Sequence, residues 1–305
     1  MDVLKISGLS KSFGQNKVIR DLNLTVPEHT IYGFIGQNGA GKTTTMKMIL
    51  GFLAPDSGEI FVKGEKVSQG KNSTNKYIGY LPDVPEFYGY MTPLEYLSLC
   101  GEITGMAKAD IKKRAKELLE QVGLAGNNKR IMGFSRGMRQ RLGVAQALFN
   151  KPAFLICDEP TSALDPLGRK EILDILKSVK GETTVLFSTH ILSDVEKICD
   201  RIAFLNDGTI AINGTLEEIR ASRKGQGLEI SFEKAEDVLQ FKNVFPDGEP
   251  NGALQLIFKR RTKADAACFM KFIAENNISI QRFEILEPTL EDLYVSIMEG
   301  VSSFL

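Results

Sequence analysis

The sequence predicts an α/β fold, and three features of the chain support that prediction. Two continuous apolar runs, "AFLICDEP" (153–160) and "TTVLFSTH" (183–190), end in polar residues, as buried parallel strands do. Amphipathic helical segments such as "DPLGRKEILDILKSV" (165–179) flank these runs. Short β-type segments separated by Gly, Pro, Asn and Asp occupy residues 2–64 and predict an antiparallel start.

A helical section is inserted into this core, over about residues 84–150. In "TPLEYLSLC", Thr92 is the predicted N-cap, Pro93 takes the first helical position and Glu95 completes a capping box. The segment "DIKKRAKELLEQVGL" (110–124) has one apolar stripe typical of a packed helix. That stripe consists of Ile111, Ala115, Leu118, Leu119 and Val122.

A hydrophilic segment, "RASRKGQG", interrupts the pattern near residue 222. Beyond it, the predicted strands "LEISFE", "LQLIFK" and "ISIQRFEI" alternate with helical segments, the last being "TLEDLYVSIM". At 305 residues the chain is long enough for two domains. We therefore predict a main domain at 1–222 and a small α/β accessory domain at 225–305. The accessory domain carries no catalytic signature, and its predicted core is Leu228, Ile230, Leu254, Leu256, Phe269 and Phe272.

Composition narrows the possible partners. Lys plus Arg number 38 and Asp plus Glu number 38, so no global charge favours nucleic acid as a partner. No apolar run approaches the ~18–20 residues that span a bilayer. The start, "MDVLKISGLSKSF", lacks the apolar core of a secretion signal. The four cysteines lack metal-type spacing, and we expect reduced thiols in a cytoplasmic protein.

The segment "GQNGAGKT" (36–43) matches the phosphate-binding pattern G-x-x-x-x-G-K-[ST] between a predicted strand and a predicted helix. Its glycines let successive backbone N–H groups face one anion. Lys42 is expected to contact the β- and γ-phosphates, Thr43 to ligate Mg²⁺ and Thr44 to donate to the α-phosphate. The alternative is a glycine-rich turn with a chance lysine. The candidate binding residues are Gly36, Gln37, Asn38, Gly39, Ala40, Gly41, Lys42, Thr43 and Thr44.

Two acids close the predicted strand "FLICDEP", where open α/β sheets bind ligands. Asp158 is the candidate Mg²⁺ residue, and Glu159 is the candidate that polarises an attacking water. Phosphoryl transfer depends mainly on positioning and charge neutralisation, and such a pair would position the water while Mg²⁺ held by Asp158 neutralises charge. The alternative is that the two acids merely end a strand.

A second anion-binding turn is predicted at "FSRGMRQR" (134–141), ahead of the apolar helical segment "LGVAQALF". The turn has a hydroxyl, a glycine and three arginines, and a helix N-terminus presents free N–H groups to an anion. The chain therefore contains two candidate phosphate sites.

Five motifs in order, "GQNGAGKTT", "FSRGMRQR", "FLICDEP", "SALD" and "STH", resemble the ATP-binding subunit of ABC transporters over about residues 2–220. The resemblance implies a P-loop NTPase core that binds ATP and Mg²⁺. It also explains the two anion sites, since in that family two ATPase domains pair head to tail. Each ATP then lies between the phosphate loop of one domain and the signature turn of the other.

The resemblance assigns further residues. Ser135 and Gly137 would contact the γ-phosphate held by the partner chain, and Asp165 would communicate across the interface. His190 would contact the γ-phosphate and hold the attacking water, the alternative being a structural histidine at a strand end. Phe13, in "SKSFG", would stack on adenine, or it could be a core aromatic on an edge strand.

Two motifs depart from the family pattern. In the signature, commonly LSGGQ, Arg136 replaces the first glycine and Met138 the glutamine, which resembles drug, lantibiotic and bacitracin exporters. Arg136 either adds a charge facing phosphate or ribose or points to solvent. In "IGYLPDVPEF", Asp83 stands where a glutamine that touches Mg²⁺ is usual. Asp83 remains a candidate metal ligand, and we expect Asp83→Gln to retain ATPase activity.

Aromatic residues Phe87, Tyr88, Tyr90 and Tyr96 follow Asp83. By resemblance, this region forms a groove for a short helix of the membrane subunit, and the alternative is packing onto the core. The predicted function is an ATPase motor subunit that dimerises on ATP with a second copy of itself, or with a homologous ATPase subunit. It would work peripherally at the cytoplasmic face of the membrane and power export through a separate permease. The alternative is a soluble ABC-type ATPase acting on ribosomes or nucleic acid.

Overall fold

The computed structural model describes residues 1–70, 73–221, 227–259, 261, 263–286, 290–291 and 294. The chain divides into two compact units, Met1–Leu216 and Glu217–Leu305. This division lies a few residues before the predicted 222–225 linker, at the start of a short helix.

The first unit contains two sheets. The smaller one is antiparallel, in the order β2-β1-β4-β5, and the larger has the order β10-β9-β3-β8-β7-β6. Within the larger sheet all neighbours are parallel except β10, which pairs antiparallel with β9. The strands are β1 (Asp2–Phe13), β2 (Asn16–Pro27), β3 (Ile31–Ile35), β4 (Ser57–Val62), β5 (Glu65–Lys66), β6 (Ile78–Leu81), β7 (Phe154–Asp158), β8 (Thr184–Thr189), β9 (Arg201–Asn206) and β10 (Thr209–Thr215).

The centre of the larger sheet fixes where polar residues gather. Every residue of β3, β7 and β8 is buried, which explains their continuous apolar character. In the parallel register, Ile35 pairs with Thr189, and Asp158 pairs with Ser188. The carboxyl ends of these strands therefore meet at one edge, where the phosphate loop, the acidic pair and His190 all follow.

Helices of the first unit are α1 (Lys42–Ile49), α2 (Pro93–Ile103), α3 (Lys108–Gln121), α4 (Arg136–Ala147), α5 (Pro166–Val179) and α6 (Leu192–Ile198). The capping box predicted for α2 is confirmed. Thr92 Oγ1 accepts from the Glu95 N–H, and the Glu95 carboxylate accepts from the Thr92 N–H at 2.8 Å. The apolar stripe predicted for α3 is buried along its whole length.

Helix α4 lies directly against β6. A Cβ on Gly79 of β6 would come 2.1 Å from the Ala147 carbonyl oxygen. A Cβ on Gly143 of α4 would come 2.6 Å from Leu81 Cδ1 and 3.2 Å from Pro85 Cβ. Because only glycine permits this approach, the α4 backbone packs against both β6 and the loop that follows it.

The second unit has a four-stranded antiparallel sheet in the order β12-β13-β11-β14. Its elements are α7 (Leu216–Ala221), β11 (Gly227–Phe232), α8 (Ala235–Val244), β12 (Glu249–Pro250), β13 (Gln255–Phe258), α9 (Lys263–Glu275) and β14 (Ile280–Leu286). Of the predicted core, Leu228, Ile230, Leu256 and Phe269 are fully buried. Leu254 and Phe272 are half-buried, and Phe272 packs against this core with its ring centroid 5.6 Å from that of Phe241. Most of the predicted last helix, 289–298, lies outside the described residues.

Among the residues that the structure describes, no helix has the length and apolar character needed to cross a membrane.

Candidate active site

The phosphate loop, residues 36–41, joins β3 to α1. Gly41 has φ 106°, and a Cβ there would lie 2.4 Å from Ile19 Cδ1, so the position requires glycine. Gly39 also has a positive φ, 87°. No described side chain caps the N-terminus of α1, which leaves its first N–H groups for an anion. The loop is thus a cradle of backbone donors that a larger residue would fill.

Lys42 supplies the positive charge of this cradle. Its side chain is 5% exposed, and its Nζ donates to the Gly36 carbonyl at 2.6 Å and to the Gln37 carbonyl at 3.1 Å. The same ammonium lies 3.2 Å from Glu159 Oε1. The ammonium is therefore held beside the loop, where a phosphate would meet it.

Thr43 and Asp158 lie side by side. Thr43 Oγ1 donates to Asp158 Oδ2 at 2.8 Å, and Asp158 is buried. Hydroxyl and carboxylate oxygens are the ligands that Mg²⁺ prefers, so these residues fit that ion. Asp83 Oδ1 has no hydrogen-bond partner among the described residues, and the role of Asp83 as a metal ligand stays a prediction.

Glu159 follows β7 in a left-handed conformation, with φ 47°, which is uncommon for a residue other than glycine. Its N–H donates to Ser188 Oγ at 3.0 Å. Its Oε2 lies 2.9 Å from His190 Nδ1, and His190 is 45% exposed. The two predicted catalytic residues are therefore in contact, with the carboxylate between Lys42 and His190.

Ser188 is a site residue that sequence reasoning missed. It is fully buried, and its Oγ donates to Asp158 Oδ1 at 2.7 Å while accepting from Glu159. One hydroxyl thus holds both acids of the "DE" pair. The available signal was a hydroxyl at the end of a buried strand, within the same "STH" motif as His190.

A buried ion pair joins the helices that follow the "SALD" and "STH" motifs. Asp165 is the N-cap of α5, accepting from the Gly168 N–H at 3.2 Å. One turn later, Arg169 Nη2 donates to Asp194 Oδ1 at 2.7 Å, and the Asp194 side chain has no exposed surface. The pair ties α5 to α6, and neither of its members was anticipated from the sequence.

The signature turn faces outward. Ser135 is exposed and caps α4, its Oγ accepting from the Met138 N–H at 3.2 Å. A Cβ on Gly137 would meet no described atom within 4 Å. Arg136 does not point to solvent alone, since its Nη2 lies 3.7 Å from Asp83 Oδ1. The turn thus presents a hydroxyl and a small residue that its own chain leaves uncovered.

Phe13, the last residue of β1, is 51% exposed. The alternative of a core aromatic on an edge strand is therefore wrong in both respects, because the ring is exposed and β1 lies between β2 and β4 in its sheet. Lys11 Nζ lies 5.7 Å from the ring centroid. Stacking on adenine remains a prediction for this ring.

The aromatic segment after Asp83 contains both packed and exposed rings, and its role as a groove for a membrane subunit stays a prediction. Tyr96 is buried, and Phe87 packs edge-on against it at 5.0 Å between ring centroids. Tyr88 and Tyr90 are more than half exposed. A groove of about 440 Å³ lies beside them, lined in part by Pro85, Phe87, Ile131 and Met132.

Comparisons with known proteins agree with this geometry. Residues 19–162 match the family model described as "ABC transporter", and residues 214–298 match "ATP-binding protein DrrA1-3-like, C-terminal domain". The chain is 38% identical to the "Uncharacterized ABC transporter ATP-binding protein YxlF" of Bacillus subtilis, over 98% of this chain and 100% of that protein. It is 35% identical to the "Bacitracin transport ATP-binding protein BcrA" of Bacillus licheniformis, over 98% of each chain.

A solved structure, "Structure of ATP binding subunit of ABC transporter", is also similar. It superposes with a TM-score of 0.65 at 32% identity, covering 72% of this chain and 92% of that one. The full-length match at 38% identity, together with the family model over the phosphate loop and the acidic pair, shows the family. The chain is an ATPase that binds ATP, and it belongs to the ATP-binding subunits of ABC transporters.

Proposed function

We propose that the chain pairs head to tail with a second copy of itself on binding ATP, and that this dimer powers export through a separate membrane permease. The observation that carries the proposal is the outward-facing signature turn. Ser135 is exposed and Gly137 borders open space, although a helix N-terminus is a favourable anion site. A turn of this kind is open to a phosphate that a second chain holds.

Within each nucleotide site, residues of one chain hold the phosphates. The backbone of the phosphate loop and Lys42 bind the β- and γ-phosphates, and Thr44 binds the α-phosphate. Thr43 and Asp158 would hold Mg²⁺, with Asp83 as a further candidate ligand, and the ion would neutralise charge on the transferring phosphoryl group. Phe13 is assigned to the adenine ring, because its exposed face is available for stacking.

Hydrolysis is assigned to Glu159 and His190. Glu159 orients the attacking water and accepts its proton as the new bond to the γ-phosphorus forms and the bond to the bridging oxygen breaks. His190 contacts the γ-phosphate and orients the carboxylate, to which it already lies at 2.9 Å. Without phosphate, Lys42 is engaged by that same carboxylate at 3.2 Å, so ATP binding replaces an existing ion pair.

Dimer formation then involves Asp165 and the helices behind it. Asp165 is exposed at the start of α5, and the buried Arg169–Asp194 pair ties this helix to α6. A displacement of Asp165 at the interface is thereby transmitted to α6, which begins two residues after His190. The energy for closure is the difference in ATP affinity between open and closed states.

The proposal of export through a permease is supported by similarity to a transport protein and by one surface of the chain. A relative over the full chain is named for bacitracin transport. The groove lined in part by Phe87, Ile131 and Met132, together with the exposed rings of Tyr88 and Tyr90, offers an apolar and aromatic surface for a short helix from another protein. Peripheral attachment at the cytoplasmic face of the membrane follows from binding such a permease.

The test is to express Glu159→Gln, which slows hydrolysis and leaves the phosphate cradle intact, and to measure molar mass by light scattering with and without ATP. A doubling of mass on adding ATP supports the dimer, and a mass that stays at one chain contradicts it. Lys42→Ala is the control, because it removes the ammonium and with it the response to ATP.

The same variant then serves as bait in detergent extracts. Co-purification of a polytopic membrane protein supports the permease. Recovery of ribosomes or nucleic-acid-binding proteins, with no membrane protein, would refute transport in favour of the alternative function.

A further inference from the structure

Two loops of the first unit carry opposite charges that face each other. Arg136 Nη2, in the signature turn, lies 3.7 Å from Asp83 Oδ1, in the loop after β6. Both side chains are about half exposed. Arg136 stands where the family commonly has a glycine and Asp83 where it usually has a glutamine, and these two replacements have opposite sign.

Packing of the backbone brings this pair together. Gly143 of α4 admits Leu81 and Pro85 so closely that a Cβ would collide with Leu81. Pro85 lies two residues beyond Asp83, so the loop after β6 is held against the helix that Arg136 begins. The separation of the two charges is thus set by packed elements and not only by two free side chains.

The groups around Asp83 disfavour its charged form, so the nearby Arg136 guanidinium matters for this carboxylate. Burial raises the pKa of the Asp83 carboxyl, and the carboxylates of Asp158 and Glu159 raise it further. The Arg136 guanidinium opposes that rise, as does His190 to a smaller extent. Asp83 Oδ1 has no hydrogen bond among the described residues, so the ion pair is the main favourable contact of that atom.

We propose that Asp83 and Arg136 are positioning residues whose ion pair fixes the signature turn, with Ser135 and Gly137, against the loop after β6 of the same chain. One consequence rests on the proposed function. The loop after β6 borders the ATP held by its own chain, while the signature turn serves the ATP of the partner. The ion pair is then a direct link between the two nucleotide sites of the dimer.

The test is amide hydrogen exchange of residues 133–138 in the nucleotide-free full chain, in which neither dimerisation nor hydrolysis takes part. Asp83→Asn and Arg136→Gln should each speed exchange in this segment by roughly two- to fivefold, the range for an ion pair open to solvent. The double variant should be no faster than either single one, and Arg136→Lys should restore most of the protection. Salt of about 1 M should bring the native chain to the same rate as the variants, because it screens the pair.

Arg141→Gln is the matched control. It removes a comparable ion pair on the same helix, to Glu171 at 3.5 Å, and should leave residues 133–138 unchanged. Additive effects of the two single substitutions, no effect of either, or an equal effect of Arg141→Gln would each overturn the proposal. Protection of residues 36–43 by MgADP, measured in the same samples, tests the nucleotide site separately. If MgADP does not protect residues 36–43, the proposed function is contradicted and the ion pair is not.

Discussion

Replacing Ser188 by alanine should destabilise the first unit strongly, although the change removes a single oxygen. That oxygen donates to Asp158 Oδ1 at 2.7 Å and accepts from the Glu159 N–H at 3.0 Å. Ser188 and Asp158 are both buried, at 0% and 4% exposure. Water therefore cannot replace either hydrogen bond without opening the end of the sheet.

The expected loss follows from those two contacts. A hydrogen bond to a charged acceptor contributes about 1.5–3 kcal/mol, and one between neutral groups about 1 kcal/mol. Ser188→Ala should lower the free energy of unfolding by about 3 kcal/mol. With an m-value near ~3 kcal/mol per molar urea, the unfolding midpoint moves down by about 1 M. ATPase activity should fall too, since Glu159 loses the anchor of its strained backbone.

The assay is urea unfolding followed by circular dichroism, with the transition of the first unit identified in the native chain as the one that MgADP stabilises. Ser98→Ala is the matched control. The Ser98 hydroxyl donates to the Leu94 carbonyl within α2, so its removal should change stability by less than about 0.5 kcal/mol. A Ser188→Ala midpoint indistinguishable from that of Ser98→Ala would refute the reasoning.

Three further substitutions test other parts of the structure. Gly143→Ala places a Cβ 2.6 Å from Leu81 Cδ1 and should lower the free energy of unfolding by about 1–3 kcal/mol. The calorimetric Tm should fall by about 2–4 °C for each kcal/mol. An unchanged Tm would contradict the close approach. Gly137→Ala meets open space and should leave the Tm unchanged while weakening ATP-dependent dimerisation, and undiminished dimerisation would remove Gly137 from the interface. In the second unit, hydrogen bonds from Arg261 hold the pKa of Asp247 below its usual range. This ion pair therefore stabilises the folded state at neutral pH. Its contribution is lost as the pH falls through the lowered pKa. Asp247→Asn should therefore cost under about 1 kcal/mol at neutral pH and nothing in strong acid, and an equal cost at both would contradict the ion pair.

Local features of the fold could be predicted because short-range chemistry specifies them. The capping box at Thr92 and Glu95 needs only residues three apart, and the structure confirms both of its hydrogen bonds. The buried strands β7 and β8 are continuous apolar runs, and that pattern is typical of parallel strands packed on both faces. The compact units divide at Leu216, where a helix begins, a few residues before the hydrophilic segment near residue 222.

Features of the candidate site also divide into those that local sequence specifies and those that depend on packing. The phosphate loop is contiguous in sequence, and its glycines match a backbone with positive φ at Gly39 and Gly41. The contact between Arg136 and Asp83, by contrast, could not be predicted, because opposite charges on separate elements meet only if α4 packs on β6.

The sequence alone therefore determined the chemistry: a cradle of backbone donors with Lys42, an acidic pair at a strand end, and a second anion-binding turn. Tertiary structure decided which of these groups touch. It placed the Ser188 hydroxyl on Asp158, 30 positions earlier, through the register of β7 and β8. It also set Arg136 against Asp83 through two glycines that let a helix approach a strand. Contacts of this kind depend on register and packing distance, which arise only when the whole sheet and its helices come together.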